Sequence, residues 1–191
     1  MSYPYLYWQY FVALESDLEA TTRYVECCEE NYNTYSVAYA QIILSAGSEV
    51  DVVSKLLCNK VQPTSKAENI NHYREILHSQ YKLLHDLKIL IPRYDLNFTP
   101  WDSWVSAKNP DWWTLYNKIK HERHDFYKEA NLKNALFSVS GLFCLVLYFY
   151  HQELRENVLQ PWPKLLTINP EWNPRIRDDV RPGYILPEFQ T

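Results

Sequence analysis

Ala135-Leu136-Phe137-Ser138-Val139-Ser140-Gly141-Leu142-Phe143-Cys144-Leu145-Val146-Leu147-Tyr148-Phe149-Tyr150 is the most apolar stretch of the chain and carries no charge. It is shorter than the ~20 apolar residues that a helical membrane span needs, and Ser138, Ser140 and Gly141 interrupt it. The reading is therefore a buried helix over residues 131–153, with Asn131 as its N-cap. A helix that is apolar nearly all round has to be wrapped by others. The expected fold class is mainly α: an up-and-down helical bundle with this segment at its centre.

Outward from that segment, the rest of the chain supplies the partners. Over residues 7–28, Tyr7, Phe11, Leu14, Leu18, Thr21, Val25 and Cys28 recur at spacings of three and four, opposite Glu15, Glu19, Arg23 and Glu26. Residues 35–58 repeat the pattern through Tyr39, Ile42, Ile43, Ala46, Val50, Val53 and Leu57, and the small run Ser45-Ala46-Gly47-Ser48 admits a close helix neighbour. Asp51 and Lys55 are spaced as an i,i+4 surface pair. A third helix is expected over residues 66–88 through Ile70, Tyr73, Leu77, Tyr81 and Leu84, with His72, Arg74 and His78 solvated. Across residues 87–104 the apolar positions alternate between Pro92 and Pro100, which predicts a short β-hairpin or an extended loop inserted between helices. The next helix runs over residues 112–124, capped by Asp111. The tail, residues 157–191, holds six prolines and cannot be regular helix. Its Trp162, Trp172, Tyr184, Ile185 and Phe189 predict that it wraps along the bundle. At 191 residues the whole is read as one domain.

Composition narrows the function. The net charge is −4, so any nucleic-acid contact must be local rather than a general coating. With three glycines there is no glycine-rich phosphate loop, and no Walker or dinucleotide fingerprint occurs. The N-terminus lacks a signal-peptide pattern. Cys27, Cys28, Cys58 and Cys144 form no C-x-x-C pair and read as reduced core thiols of a cytoplasmic protein. No membrane contact is expected, no zinc-protease or di-metal spacing is present, and no nucleophile elbow occurs, so no metal or cofactor is expected.

The chemistry-bearing stretch is Trp112-Trp113-Thr114-Leu115-Tyr116-Asn117-Lys118-Ile119-Lys120-His121-Glu122-Arg123-His124. On a helical wheel Trp112, Leu115 and Ile119 form the core face, with Tyr116 and Arg123 on the same side and Lys120 at its border. An arginine in line with a core stripe needs an acceptor. Glu49, flanking the apolar stripe of the second helix, is expected to meet Arg123 across a helix interface, either as a register-setting ion pair or as part of a site. Asn134, Ser138 and Gly141 line one stripe of the central helix below Asn131; they read either as a polar pocket facing Arg123 or as a close helix contact or homodimer seam. His121 and His124 suit general acid–base work near neutral pH, and equally suit the negative end of a helix dipole.

The segments Tyr116-Asn117-Lys118-Ile119-Lys120-His121-Glu122-Arg123 and Glu49-Val50-Asp51, with the helix that follows Asn131, resemble the HEPN superfamily. The resemblance covers the helices and leaves out the insertion and the tail. It implies a helical bundle, often homodimeric, acting in toxin–antitoxin, phage-defence or RNA-processing systems. It also implies either a metal-independent ribonuclease or a module that binds RNA, a nucleotide or a protein partner such as an antitoxin. On that reading Arg123, His121 and His124 are the catalytic candidates, and Lys120, Asn117, Tyr116, Glu49, Asn131 and Asn134 hold substrate. The family's pattern has a histidine a few residues after the arginine, whereas Lys128, Glu129 and Ala130 stand here. The alternative is a non-catalytic scaffold in which the polar cluster is structural.

Overall fold

The central helix forms as its composition requires. α6 (Leu132–Phe149) starts at Asn131, whose Oδ1 accepts the Asn134 N–H at 3.0 Å. The computed structural model describes residues 5–156, 158–168 and 186. α6 is long and apolar enough to cross a membrane, with a mean hydropathy of 1.6, but 83% of it is buried inside the molecule. It is the core helix of a mainly α bundle. It ends at Phe149, earlier than expected, because Tyr150 leaves the helical conformation; a short helix, α7 (His151–Arg155), follows.

α1 (Leu6–Thr21) and α2 (Val37–Val61) pack on α6, α2 the more extensively. α1 stops seven residues before the predicted end. The Thr21 and Thr22 hydroxyls bond back to the Leu18 and Glu19 carbonyls at 2.7 and 2.8 Å, a local alternative to continuing the helix. α2 begins after Ser36, whose Oγ accepts the Tyr39 N–H. α3 (Ile70–Gln80) is shorter than the predicted 66–88: Asn69 caps it through the Asn71 and His72 N–H groups, and Tyr81 leaves the helix. α4 (Asp111–His121) starts with Pro110 in the N-cap position, so Asp111 is the first helical residue rather than the cap, and its carboxylate lies at the positive end of the dipole. A four-residue helix, α5 (Arg123–Phe126), follows.

The insertion is a hairpin. β1 (Ile89–Ile91) pairs antiparallel with β2 (Leu96–Phe98) across a turn at Pro92–Tyr94, and Asp95 supplies the left-handed residue (φ 52°). The tail then departs from the expectation of an irregular strap, because β3 (Thr167–Ile168) adds to β1 and gives the order β2-β1-β3. Before it, Trp162 packs edge-on to Trp8, and the Trp8 indole N–H donates to the Pro161 carbonyl at 3.0 Å. Trp172, Tyr184, Ile185 and Phe189 lie outside the described residues.

The end of the insertion also builds core. Trp101 packs tilted against Trp104 with ring centroids 4.4 Å apart and meets Trp112 edge-on at 5.1 Å, and its indole N–H donates to the Gly141 carbonyl. Two glycines admit the aromatic rings of α4. Tyr116 lies on Gly47 of α2, and a Cβ on Gly141 of α6 would stand 2.7 Å from the Trp112 ring. Gly47 in the small run of α2 and Gly141 in the stripe of α6 are therefore close-packing positions.

Candidate functional site

The helix break decides where the cations go. Glu122 adopts φ −134°, ψ 44°, so α4 ends at His121 and Arg123 opens α5 in a new direction. The wheel that placed Arg123 on the core side assumed a continuous helix, and that expectation is overturned: Arg123 is exposed. It forms no ion pair or hydrogen bond with Glu49. Glu49 remains half-buried on α2, and burial alone pushes its carboxyl above the usual range. The core face of α4 is Trp112, Trp113, Tyr116 and Ile119, with Leu115 only half-buried.

Lys118, Lys120, His121, Arg123, His124 and Lys128 all lie exposed around this corner, interleaved with Glu122 and Asp125. Aromatic rings hold two of the ammonium groups. Lys118 Nζ lies 4.6 Å from the Phe126 ring centroid, and Lys120 Nζ lies 5.6 Å from that of Tyr116. His124 Nε2 is 3.0 Å from Asp125 Oδ2, an ion pair when the imidazole is protonated. Asn117 donates back to the Trp113 carbonyl at 3.0 Å, and Tyr116 is buried against α2, so both are engaged in the fold. Exposed cations of this kind suit electrostatic hold on a phosphate. An acid–base pair needs a proton acceptor aimed at its target; His124 is tied only to its exposed neighbour Asp125, and His121 has no hydrogen-bond partner among the described residues.

Asn131 and Asn134 belong to a different place. Residues 32–36 cross the start of α6: Ser36 N–H donates to the Ala130 carbonyl (3.1 Å), Leu132 N–H to Thr34 (2.9 Å) and Lys133 N–H to Tyr32 (3.2 Å). Between this crossing and residues 100–112 lies a cleft of about 620 Å³. Asn131 is occupied as the α6 cap and also donates to the Lys128 carbonyl. Asn134 Nδ2 donates to the Glu129 carbonyl at 2.8 Å. Lys108, Asn109, Lys133 and Ser103 also line the cleft. No periodic pattern pointed to them, because they lie on two loops and a helix start that only the tertiary fold joins.

Other polar groups are structural. Tyr73 donates to Asp51 Oδ1 at 2.7 Å, while Asp51 Oδ2 pairs with Lys55 as their spacing predicted. Burial, then the carboxylate, raises the Tyr73 phenol. His78 is half-buried rather than fully solvated. Its Nε2 lies 3.1 Å from His85 Nδ1, His85 in turn reaches Asp86, and burial, then the neighbouring imidazole, lowers the His78 pKa. The four cysteines are free; burial pushes Cys27 up to about 11 and Cys58 to about 12, and Cys28 is only half-buried. No family model, no curated protein and no solved structure matches the chain.

Proposed function

We propose that this protein is a HEPN-like module that holds RNA or nucleotide phosphate at the corner between α4 and α5, by binding rather than cleavage. One observation carries the reading: the break at Glu122 turns Arg123 and His124 into solvent beside Lys118, Lys120 and His121. Binding is favoured over cleavage because Lys128, Glu129 and Ala130 occupy the positions of the resembled family's histidine, and because both remaining imidazoles are exposed. Such a role places the protein in the cytoplasm, where its thiols stay reduced.

The test is fluorescence anisotropy with a labelled single-stranded RNA between 50 and 200 mM salt. Wild type binds with affinity that falls as salt rises, and Lys120→Ala/Arg123→Ala weakens binding about tenfold and flattens the salt slope. The same variant changes stability by less than about 0.5 kcal/mol, as exposed positions do. Salt-independent binding, or a variant that binds like wild type, overturns the proposal. Metal-free cleavage that His121→Ala/His124→Ala abolishes transfers the assignment to a ribonuclease.

A further inference from the structure

We propose that the cleft between residues 100–112 and the start of α6 is a second, separate site, and that it takes a small zwitterion of the amino-acid type. Its volume of about 620 Å³ lies within the range of small-molecule sites. Its lining is mostly polar, and Trp112, Leu115 and Phe137 give it one apolar patch.

Two polar groups in it have hydrogen-bonding capacity that the protein leaves unused. Asn134 is 6% exposed, and its amide orientation is fixed: Nδ2 donates to the Glu129 carbonyl, so the other atom is the carbonyl Oδ1. That oxygen receives no donor among the described residues, so this buried side chain presents a free acceptor to the cleft. The Ser103 hydroxyl is buried without a hydrogen-bond partner and lines the same cleft. Buried polar groups ordinarily find partners; here one is a buried hydroxyl without one, the other is an acceptor left open on a residue that lines the cleft, and a ligand seated there would serve both.

Charge then selects the ligand. Lys108 and Lys133 line the cleft together with Asp102, Asp111 and Glu129, and no ion pair joins any of them among the described residues. A polyphosphate meets three carboxylates there, and a simple amine leaves both lysines without an anion. A molecule with an ammonium and a carboxylate satisfies both signs. The ammonium donates to Asn134 Oδ1 and the nearby carboxylates, the carboxylate accepts from the lysines and the Ser103 hydroxyl, and an apolar side chain lies against Phe137 and Trp112. This inference does not depend on phosphate binding at the helix corner: the cleft meets α4 at Asp111, Trp112 and Leu115, and the corner cations Lys118, Lys120 and Arg123 do not line it.

The experiment is calorimetric titration of the full chain with L-phenylalanine, phenethylamine and 3-phenylpropionate, after a thermal-shift screen of the twenty amino acids. L-Phenylalanine or another amino acid binds saturably, and the analogues that lack one charge bind about tenfold more weakly or worse. Lys108→Ala/Lys133→Ala, at two exposed positions, keeps the far-UV circular dichroism of the wild type and loses the same factor. Lys120→Ala/Arg123→Ala binds the amino acid like wild type, whatever its effect on RNA. No saturable binding by any amino acid overturns the proposal. So do equal affinity for either single-charge analogue, unchanged binding in the double lysine variant, and loss of binding in the corner variant.

Discussion

Glu49 illustrates what one ionisable side chain does when its expected partner is elsewhere. It is half-buried on α2, and Arg123, exposed at the start of α5, forms no ion pair with it. Its carboxyl is raised by burial alone, so the folded state holds the proton more tightly than the unfolded chain does. The resulting cost to stability is absent below the ordinary carboxylate range, near pH 4, and is complete once the pH exceeds the raised value. Glu49→Gln is therefore expected to be more stable than wild type at pH 7, by on the order of a few tenths of a kcal/mol, because a partly exposed charge is screened. Urea melts from pH 4 to 7 check this: the gap should open as pH rises. A variant less stable at pH 7 would show that the carboxylate has a cation that the geometry lacks.

At the scale of elements, the contacts of α4 with α2 and α6 turn on the absence of two Cβ atoms. Gly→Ala inside an exposed helix stabilises by up to about 1 kcal/mol. Gly47→Ala and Gly141→Ala should reverse that sign and each cost about 1–3 kcal/mol, because the new methyl meets Tyr116 or Trp112 in a packed interface. Thermal melts of the two single variants measure it. The helices themselves were legible: Phe11, Leu14 and Leu18 of α1, and Tyr39, Ile42, Val50 and Leu57 of α2, are buried where the 3.6-residue period puts them. Their ends were less so. Thr21 and Thr22 end α1 by hydroxyl bonds, Asn69 starts α3, and Glu122 breaks α4, and the apolar pattern on either side carries no mark of these local events. The one break at Glu122 also explains the misplaced site, since every side chain after it rotates away from the wheel's assignment. The cleft was only half legible, because Asn131 and Asn134 stood out in an apolar helix while Ser103 and Lys108 lie in loops that only the folded chain brings there.

The whole molecule is closed by a carboxylate that has no cation partner among the described residues. Glu15 is 2% exposed, and its oxygens accept three backbone N–H groups, from Lys164, Leu165 and Leu166, at 2.8–2.9 Å. Consecutive backbone N–H groups converging on an anion form a nest, which neutralises the charge by dipoles. The contact pins the tail to α1 just before β3 joins the sheet. Glu15→Ala leaves these donors unpaired, and a loss of about 3–5 kcal/mol is expected from charge-assisted bonds removed in a buried place. Glu15→Gln should fall between, since Oε1 still serves Leu165 and Leu166 while the new amide N–H₂ opposes the Lys164 N–H. Urea denaturation ranks the three, with hydrogen exchange at Leu165 and Leu166 as the local readout.

That contact also has a time. Glu15 and Lys164 are 149 residues apart in the chain, and α1 is made first. At about 5–20 residues per second, the donors follow their acceptor by on the order of ten seconds or more. Through that interval the Glu15 carboxylate has water in place of these donors. α1, made well before residue 164, is thus sealed late, and a nascent chain stalled before that point presents its uncovered face to whatever is near.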